Sequence, residues 1–163
     1  MEAVFIWSYF LSLLWLAFLK KETKFWNSIK KNTQHLIHWT RIESWAGQGI
    51  PDLHGIRQGK TVFVELKVIE SDRINLSPFQ IAWNYKHVSQ GGRSFIMLQD
   101  LRGRSLYIFP CFLLHCSTSI TLKSKPHYKV SWPLASPAAW AAVVDHLFEF
   151  PFPLPKNNTK RNA

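Results

Sequence analysis

Thirteen residues carry the chain from Asp52, in Gly49-Ile50-Pro51-Asp52, to Glu65, in Phe63-Val64-Glu65-Leu66-Lys67. The sequence between them reads as a β-hairpin: a strand from Leu53, a turn at Gln58-Gly59 and a second strand to Val64. A two-residue loop pairs Arg57 with Lys60, Ile56 with Thr61, Gly55 with Val62, His54 with Phe63, Leu53 with Val64 and Asp52 with Glu65. Opposed side chains have Cβ atoms roughly 5 Å apart, and like charges so placed repel. A chain that accepts such a pair needs a cation nearby. Lys67 lies two residues beyond Glu65, so strand alternation puts its ammonium on the same face. Gln-Gly is a weaker type I′ turn than Asn-Gly, and a longer loop would shift the register. That alternative leaves an edge hairpin carrying a surface Asp52 and an exposed Glu65–Lys67 pair.

The balance of 20 Lys and Arg against 10 Asp and Glu leaves a net charge of +10. Such an excess favours a polyanionic partner, nucleic acid or an anionic membrane surface. Eight tryptophans among 15% aromatic residues exceed the needs of a small core, so some are free to stack on bases. Cys111 and Cys116 lack a CxxC partner set, which argues against structural zinc and for free thiols. No His-ligand spacing, Gly-rich phosphate loop or Ser-His-Asp set is visible.

Helical spacing of Phe25, Trp26 and Ile29 marks an amphipathic helix over Glu22 to Lys31, and His35 to Ile42 has strand composition. The hairpin follows, then a polar linker from Glu70 to Asn75. Ser77-Pro78 supplies an N-cap and a helix-start proline for a helix over Phe79 to Ser89, stopped at Gly91-Gly92. Ser94 to Leu98 and Ser105 to Phe109 read as strands around an Arg102-Gly103-Arg104 turn. Cys111 to Trp132 has no clear periodicity. Ser136-Pro137 opens an apolar helix over Ala138 to Phe148. The order implies an α/β fold with a mixed sheet flanked by helices.

This order, together with Gly49-Ile50-Pro51-Asp52, Val64-Glu65-Leu66-Lys67 and Ser77-Pro78-x-Gln80, resembles the PD-(D/E)XK nuclease superfamily. It is most similar to the VRR-Nuc branch, small phage-type proteins akin to Holliday-junction resolvases. The resemblance covers roughly Glu22 to Phe109, and Arg41-Ile42-Glu43 and Gly91-Gly92-Arg93 add to it. It implies a restriction-endonuclease-like αβββαβ core and Mg²⁺- or Mn²⁺-dependent hydrolysis of DNA, on structured or branched substrates. Asp52, one oxygen of Glu65 and the carbonyl of Leu66 are the implied metal ligands. Lys67 would hold the attacking water and offset negative charge, and Gln80 would assist. Glu22 is the implied additional acid, with Glu43 its rival. Arg41, Lys60, Arg73, Lys86 and Arg93 are the expected DNA-phosphate contacts, with Arg102 and Arg104 as further cations. Kinship also points to a two-fold homodimer and to a cytoplasmic, phage-infected or bacterial setting.

The expected organisation is an apolar extension over 1–21, a nuclease core over 22–110, a C-terminal extension with a helix over 111–150, and a basic, disordered tail over 151–163. Ala3 to Leu19 is 17 residues without a charge, closed by Lys20-Lys21. This is the lower limit for crossing a bilayer; membrane anchoring is not the favoured reading, and a helix packed on the domain and an upstream extension ahead of a fold that begins near Glu22 compete with it. Two other functional readings compete: a non-catalytic basic nucleic-acid-binding module, and a small membrane-anchored protein.

Overall fold

The computed structural model describes residues 21–42, 47–116, 119–122 and 126–152. The apolar stretch Ala3 to Leu19, the rival acid Glu43 and the basic tail beyond residue 152 therefore lie outside the described residues. Among those described, no helix is long and apolar enough to cross a membrane.

The first helix, α1, covers residues 21–33. It buries Phe25, Trp26 and Ile29, as their helical spacing requires. Thr33 ends it by donating its hydroxyl back to Ile29 O at 2.7 Å, and a turn follows. The next strand, β1 (His38–Arg41), is therefore shorter than the expected His35 to Ile42. The hairpin β2 (Leu53–Arg57) and β3 (Lys60–Ile69) has the register read from the sequence, Arg57 opposite Lys60 through Leu53 opposite Val64. Its turn places Gln58 at φ 50° and Gly59 at φ 76°. Both central residues thus have the positive φ that a type I′ turn demands, glycine freely and glutamine at a steric cost.

The polar linker is not a plain linker. It carries β4 (Arg73–Asn75), which pairs antiparallel with β7 (Ser119–Thr121) in a small separate sheet. A capping box at Ser77 then opens α2 (Pro78–Ser89). Next come β5 (Ser94–Asp100) and β6 (Ser105–Pro110), both buried along their whole length. The segment without clear periodicity forms a 3₁₀ turn over Cys111–Cys116, then β7 and β8 (Tyr128–Ser131), before α3 (Pro137–Glu149).

The main sheet runs β1-β2-β3-β5-β6-β8. Among the described residues only β3 and β5 pair in parallel, joined by the crossover that contains α2. This is the mixed α/β sheet flanked by helices that the element order implied. Alternation along β3 sends Val62, Val64, Leu66 and Val68 into a core shared with α1 and α3, which includes Phe25, Trp140, Val144 and Leu147. Ile69 of β3 joins Ile96, Leu98, Phe109 and Val88 of α2 in a second core on the opposite face. Each fully buried aliphatic side chain contributes roughly 1.5–3 kcal/mol of transfer free energy. Residues 126–150 thus complete the same sheet and the same core: β8 pairs with β6, and α3 covers one face. Arg57 to Asp145 at 2.6 Å and Lys60 to Glu149 at 2.8 Å tie the hairpin to α3.

Candidate active site

Phe63, Glu65 and Lys67 point to the α2 face of β3, by the same alternation that buries Val64 and Leu66 on the other. The last ladder pair of the hairpin is Leu53 with Val64, which leaves Asp52 beside Glu65 where β2 runs out. Instead of extending the ladder, the Asp52 carboxylate turns to accept the Leu66 N–H at 2.7 Å, and its carbonyl accepts from Ile42 N at 2.7 Å. From there the Asp52 charge acts on Glu65.

Glycine at position 49 makes this approach possible. Its φ is +89°, and a Cβ there would fall 2.3 Å from the Phe79 carbonyl oxygen. The Gly49-Ile50-Pro51-Asp52 loop therefore lies directly against the first turn of α2. That contact brings Asp52 and Gln80 to one place.

Glu65 is 1% exposed. Its Oε1 accepts from the Lys67 ammonium at 2.6 Å and from the Gln80 amide nitrogen. The other end of the Gln80 amide accepts the Ser77 N–H at 2.9 Å, while Ser77 Oγ accepts the Gln80 N–H at 3.2 Å. Gln80 is thus the capping-box residue of α2 and a donor to Glu65 at once. The amide orientation is forced, because Ser77 N–H can only donate. The Ser77-x-x-Gln80 spacing is also that of a capping box, which is the sequence signal for the second task of Ser77, that of holding Gln80.

Glu65 Oε2 is buried and has no hydrogen-bond partner among the described residues. Burial, the neighbouring Asp52 charge and Glu22 push the Glu65 carboxyl up to about 7, against the pull of Lys67. Asp52 is also raised, by burial, although the Leu66 N–H, Lys67 and Arg41 oppose the rise. Glu22, on α1, is raised by burial and by Asp52, with Lys67 and Arg41 pulling the other way. For Lys67, burial alone would lower the ammonium. Glu65, Glu22 and Asp52 outweigh it and hold the group above its ordinary value. Three acids and one lysine therefore feel one another electrostatically, and every acid is held uneasily as an anion. Closely spaced buried carboxylates of this kind favour an added cation.

Among the described residues, no three His, Cys, Asp or Glu side chains form a metal-holding group. Mg²⁺ does not need one: it usually binds through one or two carboxylates and keeps several waters. The unpartnered Glu65 Oε2, the adjacent Asp52 and the hard-oxygen character of both fit such an ion. In an extended strand the N–H and C=O of a residue leave on the same edge. The Leu66 carbonyl therefore faces the Asp52 side, as its N–H does.

The expected phosphate contacts divide. Arg41 sits exposed at the end of β1, close enough for its charge to act on Asp52 and Glu22. Arg73 and Lys86 are exposed on β4 and α2. Lys60 is engaged by Glu149. Arg93 is engaged within the fold: its guanidinium donates to Leu147 O at 3.0 Å and Phe150 O at 2.8 Å and lies over the Phe152 ring. Arg102 pairs with Asp72 at 2.6 Å. His54, which alternation puts on the Asp52 side of the hairpin, packs its ring against Phe63 at 4.8 Å.

No family model matches the chain, and no curated protein does. Among solved structures it is similar to Hjc from Archaeoglobus fulgidus, a Holliday junction resolvase from an archaeal hyperthermophile. The identity is 14% and the TM-score 0.48, over 74% of this chain and 92% of that one.

Proposed function

We propose that the chain is a divalent-metal-dependent deoxyribonuclease of the PD-(D/E)XK type, acting on structured or branched DNA. One observation carries the reading. A buried Glu65 carboxylate lies beside Asp52, with a charged lysine on one oxygen and, among the described residues, no hydrogen-bond partner on the other. A structural ion pair has no use for the second acid, which only raises its cost.

Asp52, Glu65 and the Leu66 carbonyl would hold Mg²⁺ or Mn²⁺. When bound, such an ion acidifies a water and withdraws charge from a phosphodiester. The protein's own groups do the rest. Lys67, held above its usual pKa by the surrounding acids, suits an ammonium that donates to the attacking water and offsets charge on the phosphate better than a general base. Gln80, braced by Ser77, fixes the Glu65 carboxylate through Oε1 and so would leave Oε2 for the ion. Glu22 adds negative charge from α1. Arg41, Arg73 and Lys86 supply exposed cations for neighbouring phosphates. Lys60 can join them, because an exposed ion pair such as the one it forms with Glu149 is weak. A two-fold dimer would present two such sites to two strands.

The test is cleavage of a four-way junction, a flap and a plain duplex by wild type, Asp52→Ala and Glu65→Ala, with Mg²⁺ and with EDTA. Metal-dependent cutting that vanishes in both variants, while DNA binding survives, is expected. Cutting that persists in both variants would place the chemistry elsewhere. Binding without cutting in wild type would leave a non-catalytic DNA-binding module.

A further inference from the structure

Phe79 is 58% exposed, an unusual state for a phenylalanine in the first turn of a helix that packs on a sheet. The neighbouring residue Gln80 holds Glu65, and the Phe79 backbone touches the Gly49 loop that delivers Asp52. The backbone that carries the ring therefore lies beside the acid site. The ring also opens a stripe. Phe79, Trp83 and His87 recur at four-residue spacing along α2, which puts them on one helix face. Trp83 and His87 are half-buried and stacked, with ring centroids 4.7 Å apart. Phe63 meets both from β3 at 5.0 and 4.9 Å, and His54 lies beyond it. Phe63 is two residues before Glu65 and on the same face. Trp83, His87, Phe63 and His54 thus form a cluster of rings in contact between α2 and the hairpin, with the exposed Phe79 one helical turn before Trp83, in a chain of net charge +10.

We propose that Phe79, continued by Trp83, receives an unstacked base next to the cleaved phosphate. The enzyme would then select DNA with unpaired nucleotides at the cut. The inference rests on the nuclease reading and sharpens its substrate class. In a continuous duplex both faces of every base are covered by its neighbours, and a side-chain ring has nothing to stack on. At a bulge, a flap or a branch point a face is free. Stacking of this kind tolerates any sequence, because every base has a π-face, and is worth roughly 1–3 kcal/mol per base.

Binding separates the inference from the chemistry. Anisotropy of a labelled duplex and of the same duplex with a bulged base is measured without added metal, for wild type, Phe79→Ala and Phe79→Trp. Wild type should prefer the bulged DNA. Phe79→Ala should lose about tenfold in affinity for it and little for the duplex. Phe79→Trp should keep the preference, and all three proteins should melt alike, since the ring is exposed. Equal affinity of wild type for both DNAs, or a preference unchanged in Phe79→Ala, overturns the inference even if cleavage is confirmed. A preference that depends on Phe79 in a protein that cuts neither DNA removes the hydrolytic reading instead.

Discussion

Replacing Glu65 with glutamine should abolish cleavage and make the metal-free protein more stable at pH 8. The sign follows from burial. The native carboxyl titrates at about 7, against an ordinary value of 4.5, so the folded state prefers it protonated. The stability this gives is complete below about pH 4.5 and is lost as pH rises through about 7. At about 1.4 kcal/mol per pH unit, the loss comes to about 3 kcal/mol by pH 8. Glutamine keeps an acceptor for Lys67 and Gln80 but cannot ionise. Glu65→Gln should therefore melt higher than wild type at pH 8 in EDTA, by about 5 °C or more for a chain of this size, and nearly level with it at pH 4.5. Divalent ion should narrow the gap, because a ligand at a hundred times its Kd adds about 2.7 kcal/mol to the state that binds it. Asp52 and Glu22 are raised in the same direction, so they steepen the wild-type pH slope and leave part of it in the variant. Thermal melts at the two pH values, with and without Mg²⁺, give the answer. A variant less stable than wild type at pH 8 would refute the claim that this carboxylate is held against its own stability.

Three other outcomes test the supporting structure. Gln80→Glu preserves the capping box at Ser77 but sets a third carboxylate on Glu65; helix content should hold while cleavage at neutral pH falls at least tenfold, as measured by circular dichroism and initial rates. Gly49→Ala should cost about 1–3 kcal/mol in urea melts, because it adds strain at positive φ to a clash with the Phe79 carbonyl. It should also weaken metal binding, since Asp52 rides on that loop. Arg93→Ala leaves the carbonyls of Leu147 and Phe150 without their donor and should destabilise by about 1–3 kcal/mol, with cleavage per folded molecule unchanged.

The hairpin was legible because its logic is local. A two-residue turn and period-two alternation fix which residues oppose, so the register from Arg57–Lys60 to Leu53–Val64 could be read from the chain alone, and Ser77-Pro78 marked α2 for the same reason. What escaped the sequence depends on distant partners. β4 is three residues, of which only Ile74 is apolar, and its strand identity comes from β7 more than forty positions later. β8 is an edge strand whose alternation shows only against β6. Arg93 reads as a phosphate contact until α3 supplies the two carbonyls it binds. The Lys60 partner, Glu149, is 89 residues away. Within the site, the carboxylates and the lysine were readable, whereas the task of Ser77 in bracing Gln80 required seeing which way the amide faces.

Manganese binding is the most direct probe of the shared premise, that Asp52 and Glu65 are brought together to hold a cation. Electron paramagnetic resonance titration of Mn²⁺ should show a specific site in wild type that is lost in Asp52→Asn and in Glu65→Gln and retained in Lys67→Met. Equal Mn²⁺ uptake by wild type and both acid variants would contradict it.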